Sequence, residues 1–140
     1  MSVRPQAVLD TTIPHDGVEA DGEIVFFPGR TIIELLAEQL AARGYKIHAP
    51  EHLQEMGWAL VVESKRNYIE VVISFIDEDE VYVSAQYRPR FYDRLLGRKD
   101  EIYRSVLRDL DTILRADDRF SNIRWMAAGA VGPEFDHPID

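Results

Sequence analysis

Residues 57–87 decide the fold, and they read GWALVVESKRNYIEVVISFIDEDEVYVSAQY. Three segments in this stretch alternate apolar and polar residues with a period of two, which is typical of strands that bury one face. The joining segments KRN and IDEDE are short enough for hairpins. We therefore predict an antiparallel meander, whose apolar face carries Trp58, Leu60 and Val62, then Ile69, Val71, Ile73 and Phe75, then Val81, Val83, Ala85 and Tyr87.

A helical segment before the meander can cover this face. The segment TIIELLAEQLAARG has Thr31 and Glu34 at the spacing of a capping box, which favours a helix start. Gly44 favours a helix end, because glycine takes the left-handed conformation without a Cβ clash. The predicted apolar stripe of this helix comprises Ile32, Ile33, Leu36, Ala37 and Leu40.

A second helix is predicted after the meander, over DEIYRSVLRDLDTILRA, with Asp100 as its N-cap. Between Pro89 and Gly97, the segment RFYDRLL can form a shorter helix. The apolar stripe of the second helix comprises Ile102, Val106, Leu107, Leu110, Ile113 and Leu114.

These elements predict an α+β fold in two layers, with an antiparallel β-meander of four to five strands and two main helices packed on one face. Residues 23–126 are expected to form this single domain. Residues 1–22 are read as an irregular lead-in, in which AVLDTTI can add an edge strand, and residues 127–140 as a loose tail. GEIVFF and FSNIRWM are further strand candidates.

His48 and His52 stand four residues apart, which is the spacing of two metal ligands on one helix face. Pro50 lies between them and biases the residue before it away from helical geometry, so the spacing predicts no metal site. The segment YKIH is read as a strand end, and PEHLQEM as one or two helical turns that Gly57 ends. We predict neither a metal nor a cofactor.

The composition restricts the class of protein. The chain has 140 residues, of which 46% are hydrophobic, and no cysteine, so a disulfide framework, a zinc–thiolate site and a cysteine nucleophile are excluded. The first residues, MSVRPQAVLDTTIPHDG, lack the apolar core of a signal peptide, and the uncharged run MGWALVV is too short to span a bilayer. We expect a soluble, cytoplasmic protein.

The net charge of −9 favours a basic protein as partner and disfavours nucleic acid or an anionic membrane, both of which attract Lys and Arg. The run of four acids in IDEDEV is read as an exposed hairpin tip that can contact such a partner. The outer face of the meander mixes tyrosine, valine, serine and acids, which suits a protein interface or partial cover by a terminal segment. The candidate partner-binding residues are Asp77, Glu78, Asp79, Glu80, Tyr68, Glu70 and Tyr82.

The charge is uneven along the chain. Residues 86–108 contain seven Lys or Arg against three acids, a net of +4 that leaves −13 for the remainder. Because arginines beside aromatic residues can bind phosphate groups, this Arg/Tyr cluster offers possible anion-binding residues, Arg88, Arg90 and Arg94. The alternative is that its arginines are solvated while its tyrosines pack on the sheet. No nucleophile with an adjacent base stands out, so we predict no catalytic residue.

In size, acidity, lack of cysteine and helix–meander–helix order over residues 31–116, the chain resembles the small bacterial immunity proteins that block a cognate toxin. This resemblance of type implies a tight one-to-one complex, in which acidic groups cover a basic toxin site. The chain is also similar to the acidic secretion chaperones, although their further strands and third helix are not found. A homodimer, and a small-molecule or anion-binding domain or enzyme built on the Arg/Tyr cluster, remain alternatives.

Overall fold

The computed structural model describes residues 3–54, 56–64, 67–88, 101–127 and 137–138. Within them the chain forms strands and helices in the order β1 (Gln6–Thr11), β2 (Val18–Ala20), β3 (Glu23–Phe26), α1 (Arg30–Ala42), β4 (Lys46–Ile47), β5 (Glu51–Leu53), β6 (Gly57–Ser64), β7 (Asn67–Phe75), β8 (Glu80–Arg88), α2 (Glu101–Ala116) and β9 (Phe120–Met126).

Seven of the strands form one antiparallel sheet, in the order β4–β6–β7–β8–β1–β9, with β5 also paired to β6. The predicted meander is its centre: Val71 of β7 pairs with Leu60 of β6 on one side and with Ala85 of β8 on the other. The α+β class is confirmed. The sheet is larger than the four to five strands that were predicted, because β1 and the short β4 and β5 add to it.

Strand β1 lies inside the sheet, whereas the sequence allowed AVLDTTI an edge position at most. It pairs with β8 through Ala7 and Val83 and with β9 through Ala7 and Trp125. Its alternate residues Ala7, Leu9 and Thr11 are buried, and Ala7 and Leu9 belong to the hydrophobic core. A strand whose one face is covered by the core needs such an apolar row. Pro5 and Pro14 on either side of the segment favoured the irregular or edge interpretation instead.

The two helices cover the sheet face predicted to be apolar. Their buried side chains and those of the inward sheet face form one hydrophobic core. The predicted stripes are confirmed, with Ala37 and Ile102 only partly buried at their margins. The fully covered helix residues are Ile32, Ile33, Leu36 and Leu40 of α1, and Val106, Leu107, Leu110, Ile113 and Leu114 of α2.

The start of α1 is capped by a distant carboxylate, and the predicted capping box does not form. Gly29 is the N-cap residue, and Glu34 pairs with Arg30 instead. Asp16 accepts the backbone N–H of Gly29 at 2.7 Å through Oδ1, and both the N–H and the hydroxyl of Thr31 at 2.8 Å through Oδ2. Asp16 therefore provides the acceptor that the helix start needs.

Replacing Asp16 with asparagine is expected to lower the free energy of unfolding by about 1 kcal/mol near pH 7. Burial alone raises the pKa of Asp16, but the hydrogen bonds from Gly29 and Thr31 outweigh it and hold the pKa below its ordinary value. A carboxyl with a depressed folded-state pKa contributes stability above its unfolded pKa, about 3.9, and loses it as the pH falls through the folded pKa. Urea unfolding at pH 7 and pH 3 should therefore show the difference from wild type shrinking in acid. A difference that is equal at both pH values would contradict this, and Glu34→Gln, on the exposed side of the same helix, is the control.

Candidate functional site

The acidic residues 77–80 lie at the turn between β7 and β8, and the last of them, Glu80, is the first residue of β8. The N–H groups of Ile76 and Asp77 donate to the Glu80 carbonyl at 2.8 and 3.3 Å, and the Asp77 carboxylate accepts the N–H of Glu78 at 2.8 Å. Glu80 lies 3.5 Å from Arg124 of β9. The other three acidic residues, Asp77, Glu78 and Asp79, are exposed. We call these four residues the acidic turn.

The outer sheet face separates the two tyrosines predicted to bind a partner. Tyr82 pairs with Ser74 near the end of β7, whereas Tyr68 stands at the start of that strand. The separation of six positions between Tyr68 and Ser74 corresponds to roughly 20 Å of extended chain. Glu70 lies beside Tyr68, between Val61 and Gln86. Tyr82 is thus close to the acidic turn, and Tyr68 and Glu70 are not.

Tyr68 belongs instead to a polar group at the sheet edge. The Glu63 carboxylate lies 3.0 Å from the Lys46 ammonium and 3.3 Å from Nε2 of His48. The His48 ring contacts the Tyr68 ring edge-on, with 6.2 Å between ring centres. Hydrogen bonds from Lys46 and His48 lower the pKa of Glu63. Because these side chains are solvated, the group contributes little to stability.

His52 lies apart from His48 and has a different partner. Its Nε2 accepts the backbone N–H of Phe27 at 2.9 Å, and Trp58 Nε1 donates to the Phe27 carbonyl at 2.8 Å. His52 is in strand β5, so the predicted helical turn over PEHLQEM is wrong. Pairing of His52 with Trp58 across β5 and β6, together with the bond to Phe27, outweighs the local helical preference.

The strands β2 and β3 form a separate two-stranded ribbon, which the sequence analysis did not predict. GEIVFF was predicted as a strand, but among the described strands β3 pairs only with β2, outside the main sheet. Asp21 and Gly22, both with positive φ, make its turn. An Asp-Gly pair between apolar residues is the sequence signal that could have identified this hairpin.

The ribbon exposes large apolar side chains on both of its faces. Val18 is 49% exposed, Ile24 52%, Val25 46% and Phe26 40%. Ile24 and Phe26 lie on one face of β3, and Val25, between them in the sequence, lies on the opposite face. Four exposed large apolar side chains in one short hairpin exceed the scattered single exposure of ordinary surface, and such grouping is a feature of interaction sites.

One face of the ribbon borders a groove of about 470 Å³. Phe75, at the end of β7, forms the far side and meets the His15 ring edge-on at 5.2 Å. Together these residues make a mainly apolar channel, and we call it the ribbon groove. The residues that line it are His15, Gly17, Val18, Glu19, Ile24, Phe26, Phe27, Pro28 and Phe75.

The ribbon groove adjoins the acidic turn. A second depression next to it is lined by residues 10–14, Ser121, Glu78 and Asp79. Pro14 borders this depression and its chain neighbour His15 borders the ribbon groove, while only Ile76 separates Phe75 from the acidic turn. The apolar ribbon and the exposed carboxylates therefore share one end of the sheet, which we call the ribbon end.

The predicted anion site falls mostly outside the described residues. Arg90 and Arg94 lie there, as does the RFYDRLL segment, and only the backbone of Arg88 is described, at the end of β8. Two tyrosines of the Arg/Tyr cluster pack on the sheet: Tyr87 stacks on Tyr103 at 5.3 Å, and the Tyr103 hydroxyl donates to the Ala85 carbonyl at 2.9 Å. Burial raises the pKa of Tyr103 to about 12.

Within the described ranges, no group of three or more His, Cys, Asp or Glu side chains is arranged to hold a metal ion. The helices of that part of the chain also lack the combination of length and apolar character that crossing a membrane requires.

Comparison with known proteins assigns no family to this chain. No family model matches it, and no curated protein or solved structure matches it significantly. Its function is therefore inferred from the geometry of the chain itself.

Proposed function

We propose that this chain is a non-enzymatic binding protein that holds a basic protein partner. The observation that supports this most directly is the ribbon end, where exposed apolar side chains adjoin exposed carboxylates. Apolar area supplies affinity in protein complexes, and complementary charge supplies orientation and speed of association. A surface that offers both suits another protein better than it suits a small polar solute.

The sign of the partner's charge follows from the sequence around the ribbon. Residues 5–29 contain the five acids Asp10, Asp16, Glu19, Asp21 and Glu23 and no Lys or Arg. The acidic turn adds four more carboxylates, of which Glu80 is paired with Arg124. Such a field attracts a basic surface and repels nucleic acid and anionic lipid, whose phosphates carry the same sign.

We further propose that the partner is a toxin, which the chain neutralises as an immunity protein does. The resemblance in size, acidity and element order to small immunity proteins supports this choice. The ribbon end would cover the basic site of the toxin in a one-to-one complex. We assign the complex to the cytoplasm, since the chain depends on no disulfide.

The test begins with capture of the partner from the source cell by the tagged chain. We expect a basic protein that is released by salt, that arrests growth when it is expressed alone in a heterologous host, and that no longer does so when this chain is co-expressed. Recovery of no basic partner, or growth arrest that persists during co-expression, would refute the proposed function.

Charge-matched variants then test the acidic turn. Asp77→Asn, Glu78→Gln and Asp79→Asn together raise the net charge from −9 to −6. The control triple Glu34→Gln, Glu38→Gln and Asp118→Asn makes the same change at other exposed positions. We expect the turn triple to slow association with the captured partner by about tenfold at low salt, and the control triple to slow it much less. Equal association rates for the two triples would show that the acidic turn does not steer the partner.

A further inference from the structure

We infer that the ribbon groove is the docking site for an apolar side chain of the basic partner, carried on a segment with Lys or Arg on either side. This inference rests on the proposed function and assigns its contact surface. That surface is different from the Tyr68 and Glu70 region that the sequence suggested.

The ribbon is held in place at its base while its apolar side chains remain exposed. The backbone of Phe27 is bound on both sides, by His52 and Trp58, and Asp16 binds the start of α1 immediately after it. The Phe26 ring also stacks on Trp58, with 6.1 Å between ring centres. A two-stranded ribbon alone is marginally stable in water. These contacts therefore preorganise the ribbon, which reduces the entropy that a partner must remove on binding.

Charge decides between the possible occupants of the ribbon groove. Glu19 lines it, Asp21 and Glu23 lie in the ribbon, and Phe75 on its far side is separated from the acidic turn only by Ile76. A second copy of this chain would bring like charges together, which opposes association. The described residues that line the groove include one carboxylate and no Lys or Arg. In a segment that alternates apolar and basic residues, the apolar side chain can enter the ribbon groove while the basic side chains meet the acidic residues around it.

The two faces of β3 provide a matched pair of variants. Ile24 lines the ribbon groove and Val25, its neighbour on the opposite face, does not. Their exposed fractions are similar, 52% and 46%, so replacement by serine removes comparable solvent-exposed area and should leave the fold equally intact. Circular dichroism and thermal unfolding of both variants verify this.

The probe is an acetylated, amidated pentapeptide of alternating lysine and leucine with lysine at both ends, titrated into the ¹⁵N-labelled full chain. We expect amide shift changes at Val18, Ile24 and Phe75, and binding weakened about tenfold by Ile24→Ser but by less than about twofold by Val25→Ser. A peptide with serine in place of leucine should bind far more weakly, because it retains only the charge.

The inference is overturned by shift changes that map to Tyr68 and Glu70, by equal effects of the two serine variants, or by no binding at millimolar peptide. Dimers in sedimentation runs that disappear in Ile24→Ser would also overturn it, in favour of self-association. The growth-rescue experiment is independent of these outcomes: rescue without peptide binding leaves the proposed function standing and removes only the docking site.

Discussion

Gly57→Ala is expected to destabilise the fold by about 3 kcal/mol or more. A Cβ at this position would lie 2.1 Å from the Ile73 carbonyl oxygen and 3.3 Å from the Ser74 Cα. Both atoms belong to the backbone of β7, so the clash cannot be relieved by a side-chain rotation. The φ of Gly57 is 149°, a conformation that residues with a Cβ rarely adopt. Alanine would therefore force β6 and β7 apart at the start of the meander.

Gly44→Ala is the matched control for this prediction. Gly44 also has a positive φ, 95°, but in the described part of the chain no atom beyond its two chain neighbours lies within 4 Å of its hypothetical Cβ. Alanine there should cost only the left-handed backbone conformation, about 1 to 2 kcal/mol. Urea unfolding followed by tryptophan fluorescence measures both variants. If Gly57→Ala is no more destabilising than Gly44→Ala, the close approach to Ile73 does not exist in solution.

Gly57 also illustrates what the sequence could and could not predict. The sequence analysis interpreted Gly57 as the end of a helical turn, which is a local role. The structure shows that glycine is required there by the close approach of the Ile73 backbone, 16 residues away in the sequence. The alternation in β6, β7 and β8 was predictable because period-two burial is a local property of each strand. The apolar stripes of α1 and α2 were predictable for the same reason.

Features that depend on distant pairing were not predictable. Strand β1 lies between β8 and β9. The alternation of apolar and polar residues along β1 does not indicate which strands it pairs with. The carboxylate that caps α1 comes from Asp16, which is 13 and 15 residues from the groups it binds. Thr31 and Glu34 have the spacing of a capping box and lie closer in the sequence, so they were predicted to cap α1, and that prediction was wrong.

The candidate surface was predicted only in part. The acidic turn could be located, since four consecutive acids between two strands can hardly be buried. The Asp-Gly pair could have identified the hairpin beside it, but not its exposed position, because exposure of Ile24 and Phe26 contradicts what their side chains ordinarily indicate. A hydrophobic strand is expected in the sheet, and only tertiary structure shows that this one stands outside it.

Asp111→Ala is the second variant with a large expected effect, about 3 kcal/mol in the free energy of unfolding. Asp111 of α2 is 7% exposed and accepts the Nε1–H of Trp125 at 2.9 Å and the Nε–H of Arg115 at 2.7 Å. His137 Nδ1 lies 3.3 Å from its other oxygen. Alanine would leave the indole N–H of fully buried Trp125 without its acceptor, and an unpaired buried donor costs more than the lost bond itself.

A double-mutant cycle with Trp125→Phe separates this hydrogen bond from the other losses. Phenylalanine removes the donor, so Asp111→Ala should then cost about 1 to 2 kcal/mol less than it does in the wild-type background. Asp111→Asn should be milder than alanine in the wild-type background, since its amide oxygen can still accept the indole N–H. Additive costs in the cycle would mean that Asp111 acts mainly through Arg115 and His137. Non-additive costs would show that the hydrogen bond between the Asp111 carboxylate and Trp125 links α2 to β9. Strand β9 is the edge strand that pairs with β1.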